Sequence, residues 1–431
     1  MDTHAAAIDK IATPARAWVV VGLLFLFMLI NFADRAVLGF AAIPIMQELG
    51  LSHTQFGLIG ASFFTFFSVG AVIGGFLVNR VATKWVLVGL ALIWSLCQLP
   101  MLLPVSMAAL IANRVILGFG EGPAYPVAAH ATYKWFPKEH RALPTSLIAI
   151  GALAGNGIVA PVIVAIIAAW SWHAAFGFLG GIGIVWCIAW LALAREGTLV
   201  PSSVVIGEPE ARLSYRRLLC CRTVIGVQIV GFSAYWLLAV AVVWLPAILN
   251  QTFGYTPVQA GWIMLLVALC QIVLLPVISA LSDGLQQRGV SSRLACGWIA
   301  CASTVAAGLL TLLLSQSGGS IATILCTALA FSLCNVILVF APCLLAEVTP
   351  LRQRGAILGV NTAIVTLAGP LAPAVMGTMV DIGANPAAGY RTALVFVGAL
   401  VIAGGFSGLF LIDPKADRGL KPDPMLKPHR A

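Results

Sequence analysis

Runs of about twenty apolar residues recur along almost the whole of this chain, each long enough to cross a hydrocarbon layer of roughly 30 Å. Inside lipid there is no water to bond the backbone, so every N–H and C=O must find a partner within the protein. The runs are continuous rather than alternating polar with apolar. That excludes a β-barrel and leaves helices. Composition agrees: 61% of the 431 residues are hydrophobic and only 9% are charged, against about a quarter charged in a soluble chain.

Twelve candidate spans follow, the first six at about 18–45, 55–78, 85–104, 107–134, 142–167 and 174–194. A polar stretch from Arg195 to Arg222 comes next, and six more spans lie at about 224–250, 257–282, 294–314, 319–347, 355–380 and 391–412. The expected plan is an all-α polytopic membrane protein with twelve transmembrane helices in two pseudo-symmetric six-helix bundles. Its parts are an N-terminus at 1–17, one bundle at 18–194, a linker at 195–222, a second bundle at 223–412 and a tail at 413–431. The first span is too long for the apolar core of a cleaved signal and runs on into charged residues, so it reads as a retained helix.

Lysine and arginine set the orientation. They are missing from 36–79, 85–113, 142–194, 223–287, 294–351 and 355–390. They gather at Arg80 and Lys84, at Lys134, Lys138 and Arg141, in the linker, at Arg288 and Arg293, and at Arg352 and Arg354; Arg391 is the exception. By the positive-inside rule both termini and the linker are expected in the cytoplasm, which requires an even number of spans. The expected location is the inner (plasma) membrane, with the chain a monomer. The net charge of +9 is thus a topology signal, and no nucleic-acid partner is expected. The fourth and tenth spans both end in P-x-x-x-R, Pro137 to Arg141 and Pro350 to Arg354. One such pair hints at duplication and does not prove it. Bundles derived from repeats would place a binding cavity between them near the midplane.

Enzyme chemistry finds no framework here. There is no HExxH, G-x-S-x-G, P-loop or C-x-x-C, and the ten cysteines have no metal-type spacing. No cofactor, metal or catalytic residue is expected. A nucleotide-driven pump would need a domain far larger than the linker, and a sensor would need an output domain.

An ionisable group inside a span costs ~2.5–3.5 kcal/mol even on a mild scale, so the few present need a reason. The first span reads NFADRAVLGF, with Asn31, Asp34 and Arg35; the fourth reads NRVILGFGEGPAYP, with Asn113, Arg114, Glu121 and Tyr125. Every deep charge lies in the N-terminal half; Asp283, Glu347 and Asp381 fall near span ends. Arg114 and Glu121 are two helical turns apart and share a face, whereas Asp34 and Arg35 point ~100° apart and address different partners. Asn31, four residues before Arg35, shares its face. With both carboxylates ionised and both arginines protonated, the four charges sum to zero. Protonating a carboxylate makes the site positive, and an anionic substrate restores balance. This gives proton–anion coupling a physical basis, with Asp34, Glu121 and Arg114 as coupling groups and Arg35 as the anion's fork. The plainer reading, that the carboxylates only neutralise the arginines so helices can pack, stays open.

These residues identify a resemblance. NFADR, RVILGFGEGPAYP, KWFPKEHRA, SWHAAF, WLPAIL and GVNTAIVTLAGPLAPAVMG together resemble the major facilitator superfamily, and within it the anion:cation symporter branch of sugar-acid and organic-anion transporters. The resemblance covers almost the entire length. It implies alternating access and symport of a small organic anion, a carboxylate such as a sugar acid or a sulfonate, with protons as the other partner. It places the anion ligand on Arg35, proton carriers on Glu121 and Asp34, their arginine partner on Arg114, and polar ligands on Asn361 and Tyr235. Exchange or uniport without protons is the alternative. Three positions depart from the family pattern: Asn79 where an aspartate is usual, His140 where glutamate is common, and His173 where arginine follows the tryptophan. Both histidines are expected on surface loops rather than as pH sensors. The glycines and prolines around Glu121 are expected to serve close packing and a kink. A relay from Glu121 to His130, nine residues on and on the opposite face, is not expected.

Overall fold

The computed structural model describes residues 15–78, 80–137, 140–197, 213–350 and 353–417, and no strand occurs among them. The expectations for Asn79, Lys138, Arg352, most of the linker and the two chain ends concern residues outside that set.

In the first half the helices are α1 (Ala15–Phe40), α2 (Ala42–Leu49), α3 (His53–Ser62), α4 (Phe67–Leu77), α5 (Thr83–Gln98), α6 (Met107–Glu121), α7 (Ala124–Tyr133), α8 (Ala142–Gly157), α9 (Ala160–Ala169) and α10 (Trp172–Leu193). The second half has a short α11 (Tyr215–Leu219), then α12 (Arg222–Phe253), α13 (Pro257–Gln287), α14 (Ile299–Gln316), α15 (Ile321–Leu333), α16 (Val336–Val348), α17 (Arg354–Thr366), α18 (Ala368–Ile382), α19 (Pro386–Leu411) and α20 (Pro414–Asp417). Among the described residues, eleven helices or helix pairs are long and apolar enough to cross a membrane. The twelfth span is α6 with α7, interrupted at Gly122 and Pro123 and carrying Arg114 and Glu121. Twelve spans therefore stand, and the one that length and hydropathy miss holds two of the deep charges.

Glycine makes that interruption tight. Gly118 and Gly122 face the Phe63 and Phe67 carbonyls so closely that a Cβ on either would collide with the oxygen. Gly151 and Gly155 of α8 approach the Phe25 and Leu29 carbonyls of α1 in the same way. Small residues let backbones approach where lipid supplies no hydrophobic drive between helices. The expected packing role is what the backbone shows.

The hint of duplication gains a structural counterpart. Arg141 Nε donates to the Phe136 carbonyl at 3.0 Å and Arg354 Nε to the Thr349 carbonyl at 3.3 Å, each to the residue five positions back. The start of the third span also meets the end of the sixth. Glu196 accepts from the Thr83 and Lys84 backbone N–H groups at 3.0 and 2.9 Å and pairs with Lys134. In the second half Arg293 pairs with Asp413 at 2.5 Å. Burial would raise the Glu196 carboxyl, but the Lys134 hydrogen bond and the α5 N-terminus outweigh it and hold it below the usual range. Arg391, the exception to the charge pattern, donates to the Ser315 carbonyl at the end of α14 at 2.6 Å, a cation placed at a helix C-terminus.

The two halves meet mainly through α3 against α18, α8 and α9 against α13, and α1 against α12. This seam lies at the end of the molecule opposite Lys84, Lys134 and Arg293. Gly39 abuts the Val242 carbonyl, Gly57 the Pro373 carbonyl, and Gly377 the His53 carbonyl. Asp381 of α18 accepts from the His53 and Thr54 N–H groups at 3.1 and 2.8 Å and from the His53 ring at 2.9 Å, fastening the N-terminus of α3. Toward the other end, Ser68 and Thr366 still face each other at 3.4 Å.

Candidate functional site

The deep charges of the first and fourth spans come together: Arg35 and Glu121 form an ion pair, and Arg114 bonds the Asp34 main chain. Arg35 donates from Nε to Glu121 Oε2 at 2.6 Å and from Nη2 to Asn31 Oδ1 at 3.2 Å. The Glu121 side chain is fully buried and that of Arg35 is 14% exposed, so the pair sits at the edge of the packed interior. Three phenyl rings surround the guanidinium: Phe32, Phe67 and Phe63, with centroids 4.3, 4.9 and 5.4 Å from its carbon. Two turns before Glu121 on α6, Arg114 donates to the Asp34 carbonyl at 3.2 Å and lies 5.1 Å from the Phe176 ring. The Asp34 carboxylate takes its hydrogen bond from Gln98 at 2.9 Å. Asp34 and Arg35 thus turn to different partners, and Glu121 lies within electrostatic reach of both arginines and of Asp34.

Several of these groups are left with unused capacity. Glu121 Oε1, Asp34 Oδ2, Asn31 Nδ2, and Arg114 Nε and Nη2 are buried with no hydrogen-bond partner. Buried polar atoms usually find partners, and an orphan calls for an explanation. Here they cluster around one arginine–glutamate pair, where a ligand or proton would bind.

The remaining site residues fall differently. Tyr235 of α12 reaches the cluster from the second bundle: its ring stands edge-on to Phe64 at 6.2 Å, within electrostatic range of Arg35. Asn361 of α17 is 8% exposed with Oδ1 unpartnered. Tyr125 is not drawn into the charged group. It lies beyond the Gly122–Pro123 interruption, is 43% exposed, and makes no hydrogen bond to Arg35 or Glu121. His130 lies near Lys134 and Glu196 instead of Glu121. Gln98 was passed over in the sequence, although a glutamine at the end of an apolar run is visible there. Nothing marks Phe32, Phe63 and Phe67 out among twenty-one phenylalanines.

His140 is exposed as expected, but the loop expectation for His173 is corrected. It sits in the first turn of α10, stacked on Trp172 at 3.6 Å between centroids. Its Nδ1 lies 2.6 Å from the Met101 carbonyl and its Nε2 2.9 Å from Glu48 Oε1. Both neighbours carry acceptor oxygens, so either ring nitrogen has a partner to which it can donate. His173 joins α10 to Glu48 and to the Met101 carbonyl. Glu48 also accepts from the Trp172 indole at 2.6 Å; the His173 bond, then Trp172, hold its carboxyl below the usual range.

Among the described residues no group of His, Cys, Asp and Glu could hold a metal ion. Two six-span bundles, a glycine-lined seam and compensated charges near mid-span define a polytopic membrane transporter. The chain belongs to the Major Facilitator Superfamily, whose family model matches residues 24–240 and 227–429. It is similar to the probable sulfoacetate transporter of Cupriavidus necator, 25% identical over 91% of this chain and 93% of that protein. It is also similar to the D-galactonate transporter of Escherichia coli, 24% identical over 92% and 96%. Among solved structures it shares its fold with a bacterial homolog of the human lysosomal transporter Spinster, captured inward-facing and occupied, at a TM-score of 0.77 and 16% identity over 95% of this chain and 99% of that one.

Proposed function

We propose that this protein carries a small organic anion, a carboxylate or sulfonate, across the inner membrane together with a proton by alternating access. The observation that carries the reading is the 2.6 Å pair between Arg35 Nε and Glu121 Oε2, with the second Glu121 oxygen buried and unpartnered. Arginine stays protonated throughout, so the Glu121 carboxylate and a substrate anion compete for the same guanidinium. When Glu121 takes a proton it no longer needs Arg35, and the fork turns to the anion. When the anion leaves, Arg35 reclaims the carboxylate and the proton is released. Asp34 and Arg114 supply the second acid and cation: Arg114 donates to the Asp34 carbonyl, and Gln98 to the Asp34 carboxylate. The similarity to a probable sulfoacetate transporter and a D-galactonate transporter favours an anionic cargo.

Alternating access draws support from the seam. The bundles at 18–194 and 223–412 are fastened at the end bearing His53 and Asp381, while the basic residues cluster at the other. With the basic end in the cytoplasm, this arrangement corresponds to an inward-facing monomer with both termini and the linker inside. The test is uptake of a carboxylate or sulfonate by proteoliposomes with and without an inward pH gradient. Accumulation only with the gradient supports coupling; accumulation indifferent to the gradient would leave an exchanger or uniporter.

A further inference from the structure

Around Arg35 the walls are aromatic to a degree that a charged site does not require. Phe32, Phe63 and Phe67 crowd the guanidinium. Phe63 stands edge-on to Phe64 at 5.0 Å, and Phe64 meets Tyr235 of the other bundle. An unbroken row of rings therefore runs from the first bundle to the second past the proposed anion ligand.

Several hydroxyls and amides of the second bundle, in contrast, already bond within that bundle. Ser233, Thr362 and Thr366 donate to carbonyls three or four residues back in their own helices, and Ser332 does so to Ala328. Gln271 and Asn335 both donate to the Phe331 carbonyl. Gln228, whose Nε2 is buried without a partner, lines a groove with Ser407 and Leu400 of α19. Asn361 Oδ1 stays open, with Asn31 Nδ2 on the first-bundle side, and Tyr235 stands at the end of the row of rings. A polyhydroxylated acid would bury a row of hydroxyls against phenyl edges, and each hydroxyl without a partner weakens binding on the order of tenfold.

We infer that the cargo is an aromatic carboxylate or sulfonate with at most one or two hydroxyls, its anion on Arg35 and its ring among Phe32, Phe63, Phe67 and Tyr235. This rests on the anion-transport reading above and narrows it. A ring enters such a site by edge-to-face contact and area burial, and leaves Asn361 and Tyr235 to meet one further polar substituent.

The full-length protein in detergent is titrated with sodium benzoate, sodium D-gluconate and benzyl alcohol, with intrinsic tryptophan fluorescence and thermal shift as readouts. Benzoate is expected to bind at least tenfold tighter than gluconate and than benzyl alcohol. Gluconate binding as tightly as benzoate or tighter would overturn the aromatic assignment and leave anion transport standing. Benzyl alcohol matching benzoate would instead remove the anion reading itself, and this inference with it. Phe67→Ala is expected to weaken benzoate about tenfold relative to acetate, and Phe67→Tyr to restore it; an unchanged benzoate-to-acetate ratio in Phe67→Ala would overturn the ring placement. Should Phe67→Ala not fold, the wild-type comparison decides alone.

Discussion

Glu121 holds Arg35 through one carboxylate oxygen and keeps the other, Oε1, buried without any partner. An oxygen in that position costs free energy while it is charged and bare, and accepts a proton without moving the pair apart. Glu121→Gln keeps the shape and fixes the neutral state. The variant is expected to lose accumulation driven by a pH gradient while still exchanging preloaded substrate across proteoliposomes. Loss of both activities would count against a proton role for Glu121.

Arg35 presents a planar fork, with Nε and Nη2 in use and Nη1 making no hydrogen bond to a described residue. Arg35→Lys keeps the charge and discards the fork. Anion affinity is expected to fall about 10²-fold, the equivalent of roughly 2–3 kcal/mol for a bidentate charge-assisted pair. Equilibrium binding to the purified variant measures it, and wild-type affinity there would reassign the anion ligand.

Asp381 ties α18 to the first turn of α3 through three bonds, two of them from backbone N–H groups. Asp381→Ala leaves those donors bare on the closed side, a loss of about 1–3 kcal/mol. Spin labels at Gln47 and Ile382, on facing ends of the two bundles, are expected to gain a longer distance component as the seam opens. An unaltered distance distribution would show that the glycine contacts alone hold it shut.

The His173–Glu48 clamp gives a pH signature. The folded-state carboxyl of Glu48 titrates below its usual value of about 4.5, so its stabilising effect is complete above that pH and fades as pH falls through the lower folded value. Melting temperatures of wild type and Glu48→Gln are expected to differ near pH 6 and to converge below pH ~4.5. A gap that stays constant down to pH 3.5 would mean the carboxylate charge contributes nothing.

Much of this molecule is legible in its residues. The apolar runs place the spans because bilayer thickness is a hard constraint, and Asp34, Arg35, Arg114 and Glu121 stand out because charge in lipid is costly. Helical geometry correctly separates Asp34 from Arg35 and joins Asn31 to Arg35. Where reading fails, the missing information is long-range. Tyr125 looks one turn from Glu121, but helical arithmetic does not survive the Gly122–Pro123 interruption. His173 looks like a loop residue until the folded chain brings Glu48 and Met101, 125 and 72 residues away, against its ring. The phenylalanines around Arg35 are ordinary apolar residues until packing selects them.

At Gly39, Gly57 and Gly377 each bundle offers the other a bare Cα, with no side chain threaded between neighbours. Surfaces of that kind slide and part without unlocking rotamers, so the proposed alternating access would meet little friction there. The same smoothness leaves the closed position without an interlocking register of its own. In such a cycle the residues that clasp it from outside the stripe, His53 and Asp381 foremost, would act as the detent that fixes where the motion stops.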